Sequence, residues 1–192
     1  MAAALRVDGY QGHVVACDPN PDEIALGIEL GIVDSGGTRL DELLEGVSMV
    51  VLAVPVLAME SVMAQLAAAL PRAARDVVIT DVGSTKATIR ECAERVFGSM
   101  PPNMVLGHPI AGSEKSGVAA ANPTLYVNHK VILTPEPNVD EQALMRVEAL
   151  WLACGADVLH MSVERHDQVL ARTSHLPHLL AFSLVDTLAR QD

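Results

Sequence analysis

Short runs of apolar, often β-branched residues recur along the chain, and each run is bounded by turn residues. Continuous apolar runs of this length are typical of strands that are buried on both faces, as in a parallel sheet. The predicted strands cover residues 13–17, 49–54, 77–80, 104–106 and 131–134, with a weaker candidate at 156–161.

Between these runs, apolar residues repeat at helical spacing, which predicts a helix between successive strands. The stripes are Val62, Leu66 and Leu70, closed by Pro71; Ile89, Ala93 and Val96, with Ser84 or Thr85 as the N-cap; and Leu144, Val147, Trp151 and Cys154, ended by Gly155. Alternating strands and helices indicate an α/β fold with a doubly wound, mostly parallel sheet. From residue 162 to 192 the pattern becomes one long, mostly helical stretch.

Composition narrows the class of protein. Half of the 192 residues are apolar, and the net charge is −11. An acidic chain without Lys/Arg clusters does not fit a protein that binds nucleic acid or an anionic membrane. No apolar run reaches the roughly 18 residues of a membrane span, and no signal peptide is evident. The three cysteines (Cys17, Cys92 and Cys154) lack metal-ligand spacing and fit a reducing compartment, so we expect a cytoplasmic enzyme.

An acidic residue, Asp18, ends the first apolar run. In Rossmann-like dinucleotide-binding units, such a residue hydrogen-bonds the adenosine ribose hydroxyls, and a first strand with a G-x-G-x-x-G turn lies about twenty residues before it. Residues 1–7 here already have the pattern of the first helix, so we expect a Rossmann-like sheet that lacks its first strand. The second and fourth strands would then lose their shared neighbour, and NAD affinity should be poor.

Two polar, glycine-bearing loops each follow a predicted strand: TDVGSTK at 80–86 and GHPIAGSEKSG at 107–117. Open α/β sheets bind ligands at the carboxyl ends of their strands. If the two strands are neighbours, His108 faces a serine, a threonine and a lysine of the first loop. The sequence therefore predicts an active site at these two loops.

Six segments carry a more specific signal through their order and spacing. They are ACDPNP at 16–21, VVLAVPV at 50–56, TDVGSTK at 80–86, GHPIAGSEKSGV at 107–118, VILTP at 131–135 and HDQVLARTSHLPH at 166–178. Each is weak evidence alone, but together they cover almost the whole chain. In this combination the sequence resembles the prephenate/arogenate dehydrogenase family.

The resemblance implies an NAD-binding domain, here residues 1–161, followed by an all-helical dimerisation domain that starts at 162–192. It implies oxidative decarboxylation of prephenate to 4-hydroxyphenylpyruvate, or of arogenate to tyrosine, in tyrosine biosynthesis by a homodimer. Because the ring becomes aromatic, the reaction is strongly downhill, and the protein mainly has to orient substrate and cofactor and accept a proton. The sequence does not choose between the two substrates.

The resemblance also assigns substrate-side residues. His108 matches the catalytic histidine, which polarises or deprotonates the ring hydroxyl, and Ser84 matches the serine that hydrogen-bonds both this histidine and the substrate. Glu114 matches an acidic residue at the substrate entrance, and His178 one that positions a substrate carboxylate or ring, with His175 nearby. Without the resemblance, His108 would be interpreted as a histidine at a strand end and Ser84 as a helix N-cap. Glu114 would be a solvated carboxylate, and the two histidines of the helical segment would serve helix packing. The histidines lack accompanying carboxylate or cysteine spacing, so no metal is predicted.

On the cofactor side, the carboxylate of Asp18 favours NAD over NADP, because a 2′-phosphate would meet like charge and no arginine follows directly. Val54 and Pro55, at the end of their strand, should border the adenosine. Asp81 and Gly83 should lie near the nicotinamide.

Measured against the family pattern, the sequence lacks the first strand and most of the dimerisation helices. We therefore expect a chain that is truncated at both ends and inactive alone. Two alternatives stay open: another NAD(P)-dependent dehydrogenase or reductase of related architecture, and a non-catalytic truncated binding domain.

Overall fold

The computed structural model describes residues 1–113 and 115–190. Its strands are β1 (Val15–Cys17), β2 (Ser35–Gly37), β3 (Met49–Leu52), β4 (Val78–Asp81), β5 (Met104–Pro109), β6 (Lys130–Thr134) and β7 (Asp157–His160). Its α-helices are α1 (Ala2–Val7), α2 (Pro21–Glu29), α3 (Met59–Ala69), α4 (Lys86–Phe97), α5 (Glu141–Ala153), α6 (Val163–Leu170) and α7 (Leu176–Ala189). A π-helical turn, Ala171–His175, joins α6 to α7.

The strands form two separate sheets. One has the order β3-β4-β5-β6-β7, and the other consists of β1 and β2. β5 and β6 pair antiparallel, whereas the other pairs in the described residues are parallel. Within residues 1–113 and 115–190 no ladder joins β1 to β3, the strands expected to lack a shared neighbour. The predicted fold class is confirmed: a Rossmann-like, mostly parallel α/β sheet followed by a helical segment.

Helices cover both faces of the five-stranded sheet. Successive residues of a strand point to opposite faces, and the core divides accordingly. Ile79 of β4 and Met104 of β5 pack in a cluster with α3 and α4. Their neighbours Val78 and Val105 pack on the other face with α1 and α5, around the fully buried Trp151. This two-sided burial accounts for the continuous apolar runs in the sequence.

Some elements differ from the sequence prediction. β2 is not predicted because Ser35-Gly36-Gly37 has no apolar side chain, and it is held by backbone pairing with β1. Gly36 permits this pairing, because a Cβ there would meet the carbonyl oxygen of Ala16 at 2.6 Å. β5 continues beyond residue 106 to Pro109, so His108 lies in a strand and not in a loop. None of the helices in the described ranges combines the length and apolarity needed to cross a bilayer.

Candidate active site

The turn after β4 and the end of β5 lie side by side at one edge of the sheet. The two strands pair in parallel, with Ile79 opposite Met104 and Thr80 opposite Val105. Their carboxyl ends therefore meet at the same edge. The expectation that the two strands are neighbours is confirmed. Lys86, which follows the turn after β4, donates to the carbonyl oxygen of Gly107, directly before His108.

A partly buried chain of hydrogen bonds starts at His108. Its Nδ1 lies 2.9 Å from Nε2 of His166 in α6. On the other side of that ring, Nδ1 lies 2.7 Å from Oδ1 of Asp167. The Asp167 carboxylate also accepts from the backbone N–H groups of Lys86 and Ala87, both at 2.9 Å. These amides belong to the first turn of α4, where N–H groups have no partner within the helix.

The surroundings of His108 favour its neutral form. Burial lowers the pKa of His108 to about 4, and the charges of His166, Lys86 and His175 act in the same direction. Burial also lowers the pKa of His166, whose side chain is fully enclosed, although Asp167 opposes this. Burial would raise the pKa of Asp167, but its hydrogen bonds from Lys86, Ala87 and His166 outweigh that effect and hold it below its usual value. The chain therefore joins a neutral imidazole to an ionised carboxylate at neutral pH.

Lys86 is fully buried and forms an ion pair with Asp81. Its Nζ also donates to the carbonyl oxygen of Gly107 at 2.6 Å. Asp81 accepts from the N–H groups of Gly83 at 2.8 Å and Gly107 at 3.1 Å. Burial lowers the pKa of Lys86, and the charge of Asp81 opposes this. The pair fastens the turn after β4 to β5, directly before His108.

Asp81 and Gly83 therefore have a structural role that the sequence did not indicate. The Asp81 carboxylate is fully enclosed, and both of its oxygens accept hydrogen bonds from the protein. A Cβ at Gly83 would overlap the side chain of Ile89, which is itself buried in the core. The predicted place of Asp81 and Gly83 near a nicotinamide stays a prediction.

Ser84 is exposed, and within the described residues it forms no hydrogen bond with His108. Thr85 occupies the N-cap position of α4, but its side chain makes no capping hydrogen bond. The predicted N-cap position is therefore confirmed at Thr85, but the hydrogen bonds that cap the helix go to Asp167 of α6, which accepts from Lys86 and Ala87. The role of Ser84 toward substrate stays a prediction.

Asp18 lines a cavity of about 510 Å³ at the end of β1. Its Oδ1 accepts from the N–H of Asn20 at 2.8 Å. Ile24 and Val33 give the cavity an apolar wall, and residues 116–118 border it from the segment after β5. A volume of this size, with a carboxylate beside an apolar wall, suits a nucleoside, whose hydroxyls and base need different surroundings.

Val54 and Pro55 follow β3, at the edge of the sheet that also carries the turn after β4. Val54 is half-buried against the core, whereas Pro55 is exposed. Their contact with adenosine stays a prediction.

The remaining predicted site residues lie in the helical segment, apart from Glu114, which falls outside the described residues. His175 ends the π-helical turn and is half-buried, close enough for its charge to affect His108. His178 lies on the exposed face of α7, with its ring centroid 5.5 Å from that of Phe182. Among residues 1–113 and 115–190, no group of three or more His, Cys, Asp or Glu side chains is placed to hold a metal ion.

The sequence profiles of one family match nearly the whole chain. The profile described as "Prephenate dehydrogenase, nucleotide-binding domain" matches residues 1–160. The profile described as "Prephenate dehydrogenase, dimerization domain" matches residues 162–192. The chain belongs to the prephenate dehydrogenase family.

Individual relatives agree with this assignment. The prephenate dehydrogenase of Bacillus subtilis is 35% identical over 188 residues, which cover 96% of this chain and 49% of that protein. A crystal structure of Aquifex aeolicus prephenate dehydrogenase with hydroxyphenyl propionate and NAD+ is 37% identical with a TM-score of 0.88, covering 98% of this chain and 64% of that one. Synechocystis arogenate dehydrogenase is 26% identical with a TM-score of 0.80, covering 98% and 64%. The chain spans about half the length of the curated relatives it matches.

The sequence places His108 and the lysine of the first loop, Lys86, in the predicted site, but it indicates no role for His166 or Asp167. Lys86 was expected in a loop, and His166 is 58 residues from His108 along the chain. A signal was present in the sequence, because His166 and Asp167 begin HDQVLARTSHLPH, one of the six segments that resemble the prephenate dehydrogenase family. Their contacts with His108 and with α4 depend on the packing of α6 in the folded chain, which the sequence alone does not show.

Proposed function

We propose that this chain forms the NAD-binding part and the proton-accepting half of the active site of a dehydrogenase that acts on prephenate or arogenate. The product is 4-hydroxyphenylpyruvate from prephenate or tyrosine from arogenate, in tyrosine biosynthesis. Membership of the prephenate dehydrogenase family supports the reaction class. The Aquifex aeolicus relative, whose structure contains NAD+ and hydroxyphenyl propionate, supports the cofactor and an aromatic ligand.

The observation that carries the proposal is a neutral histidine at the carboxyl edge of the sheet. Burial and the neighbouring charges lower the pKa of His108 to about 4, so the ring is unprotonated at neutral pH. A histidine in this state accepts a proton, whereas a protonated one does not. His108 is partly exposed, and within the described residues its Nε2 forms no hydrogen bond. That atom is free to receive the proton of a substrate hydroxyl.

His108 would take the proton of the ring hydroxyl as hydride leaves the same carbon, and loss of carbon dioxide then makes the ring aromatic. Bound NAD supplies the hydride acceptor. Ser84, at the exposed turn after β4, is proposed to hydrogen-bond the same hydroxyl. Glu114 and His178 are proposed to contact the rest of the substrate, with His175 near His178.

The cavity at Asp18 is proposed to hold the adenosine of NAD. Asp18 and Glu23 give this cavity two carboxylates, and Glu23 accepts a hydrogen bond from the N–H of Val118. Ribose hydroxyls can donate to a carboxylate, whereas the additional phosphate of NADP would meet negative charge. The residues present therefore fit NAD better than NADP. Val54 and Pro55 are proposed to border the adenosine, and Asp81 and Gly83 to support the nicotinamide side.

We also propose that residues 1–161 form the cofactor domain and that residues 162–192 belong to a helical domain through which two copies associate. Large apolar side chains are exposed along the last described helix: Leu176, Leu179, Leu180, Phe182, Leu184, Val185 and Leu188. A helix that is apolar on most of its surface is normally buried against other helices. The cytoplasmic location expected from the cysteines stays a prediction.

The proposal is tested by assaying the complete product of the gene that encodes this chain, with NAD and either prephenate or arogenate. The absorbance of reduced nicotinamide should rise with at least one substrate. His108→Gln should lower kcat by about 10²-fold or more, the usual contribution of a general base. Absence of reduced cofactor with both substrates would overturn the proposal.

A further inference from the structure

We propose that His166 and Asp167 are positioning residues that hold His108 in the tautomer with its proton on Nδ1, which leaves Nε2 as the proton acceptor. The structural part of the inference concerns the tautomer alone, and its consequence for catalysis rests on the proposed function.

Asp167 fixes the direction of the first hydrogen bond. Its Oδ1 lies 2.9 Å from the N–H of Lys86, and its Oδ2 lies 2.9 Å from the N–H of Ala87. A backbone N–H can only donate, so both carboxylate oxygens are acceptors. These hydrogen bonds hold the pKa of Asp167 below its usual value against the effect of burial, so Asp167 is ionised at neutral pH. The positive end of the α4 dipole further favours this charge.

The direction of the second bond follows from the first. Nδ1 of His166 lies 2.7 Å from the same Oδ1 of Asp167, so Nδ1 must carry a proton. The His166 side chain is fully enclosed, and burial lowers its pKa, so the ring is neutral at neutral pH. A neutral imidazole has one proton, which leaves Nε2 of His166 as an acceptor.

His108 completes the chain. Its Nδ1 lies 2.9 Å from Nε2 of His166, and because that nitrogen accepts, Nδ1 of His108 must donate. Within the part of the chain that the structure describes, the charged and titratable groups that act on His108 are His166, Lys86, His175 and Asp167. His166, Lys86 and His175 disfavour the protonated form of His108, so its ring is neutral. Because the single proton of the neutral ring is on Nδ1, the lone pair is on Nε2.

Reversing the tautomer of His108 would be costly. It would place two lone pairs between Nδ1 of His108 and Nε2 of His166 unless His166 also reversed. The lone pair of His166 Nδ1 would then face the Asp167 carboxylate, and a charge-assisted hydrogen bond would be lost. The Asp167 carboxylate thus holds both rings in one protonation pattern.

Nitrogen NMR of the 192-residue chain, labelled with ¹⁵N-histidine, tests the tautomer directly. At pH 7, His108 should show a protonated Nδ1 and an unprotonated Nε2, with its signals identified by their loss in His108→Gln. His166→Leu removes the acceptor, so the Nε2-protonated form of His108 should appear. His166→Gln should preserve the native pattern, because its amide oxygen can accept from His108 while its NH₂ group donates to Asp167.

A proton on Nε2 of His108 in the unmodified chain would overturn the inference, and this result does not depend on whether His166→Leu folds. An unchanged His108 tautomer in folded His166→Leu would overturn it as well.

Kinetics of the complete gene product separate this inference from the proposed function. His166→Leu should lower kcat by roughly 10- to 100-fold with little change in KM, and His166→Gln should restore much of it. If the NMR pattern is as expected but neither substrate is oxidised, the positioning inference stands and the proposed function fails. If substrate is oxidised but His108 carries its proton on Nε2, the proposed function stands and the positioning inference fails.

Discussion

His108 and Lys86 are both held by carboxylates in the interior, but in different ways. His108 reaches Asp167 only through the neutral ring of His166, so little charge is buried next to it. Lys86 contacts Asp81 directly, with both side chains fully enclosed. In the first arrangement, Nε2 of His108 has no hydrogen-bond partner among residues 1–113 and 115–190. In the second, Lys86 donates to the backbone at Gly107, one residue before His108.

Acid should destabilise the protein partly through His108. Its pKa is about 4 in the folded chain, against the ordinary value of 6.5 expected in the unfolded chain. As the pH falls, the unfolded state binds this proton first, so the contribution to stability is complete above pH 6.5 and declines toward pH 4. After allowance for partial exposure, the loss is on the order of 2 kcal/mol. His166, whose pKa is also lowered, acts in the same direction.

Thermal melts of the chain across this pH range measure the effect. Tm should fall as the pH is lowered toward 4, and His108→Gln should make the fall shallower. Equal pH slopes for the two proteins would contradict the assignment to His108.

Lys86→Met should destabilise the fold strongly. It removes the cation but leaves the Asp81 carboxylate enclosed, and breaking a buried pair in this way typically costs 3–5 kcal/mol, with about 3 kcal/mol expected here. The lower value is expected because the N–H groups of Gly83 and Gly107 still donate to Asp81. Urea unfolding gives the free-energy difference.

Lys130→Met is the matched control for that measurement. It removes a lysine from the exposed pair with Asp157 and should cost less than about 1 kcal/mol. A similar loss of stability in both variants would show that the buried Lys86–Asp81 pair contributes no more to the free energy of unfolding than the exposed Lys130–Asp157 pair.

Among the secondary-structure elements, those with apolar periodicity were predictable from the sequence. β3 to β7 and α3 to α5 bury side chains in the two core clusters, so their pattern is visible in the sequence. β2 is held by backbone pairing and leaves no apolar signal. The antiparallel direction of β6 has no local signature either, because it depends on the path of the segment that joins β5 to β6.

The residues of the candidate site also differ in whether the sequence predicts them. His108 and the turn after β4 were predictable because each is part of a compact local motif. The cap of α4 was not, because Asp167 is 81 residues from Lys86 along the chain and reaches it only when α6 packs on α4. Residues of α6 thus contact both His108 of β5 and the first turn of α4. Elements on both sides of residue 162 therefore share one hydrogen-bond chain.

At the scale of the whole molecule, the apolar surface is concentrated in the last helix. The large side chains of α7 are 50–67% exposed, while the sheet and its covering helices enclose Trp151 and the core methionines completely. A contiguous exposed apolar surface of this kind marks an interaction site. The match of residues 162–192 to a dimerization domain supports a second copy as the partner.

Self-association of the chain should therefore depend on α7. Leu180 and Leu184 are one helical turn apart and both are more than 60% exposed, so Leu180→Asp with Leu184→Asp places two charges on one side of this surface. Sedimentation of the chain at increasing concentration should show association that the double variant loses, with an unchanged thermal melt at low concentration. Leu57→Asp with Met145→Asp also replaces two exposed apolar residues, but outside α7, and should leave association unchanged. An aspartate buried in an apolar interface loses its hydration and weakens association, whereas an aspartate that stays in water does not. Equal association of the unmodified chain and both double variants would therefore show that the contact lies outside α7.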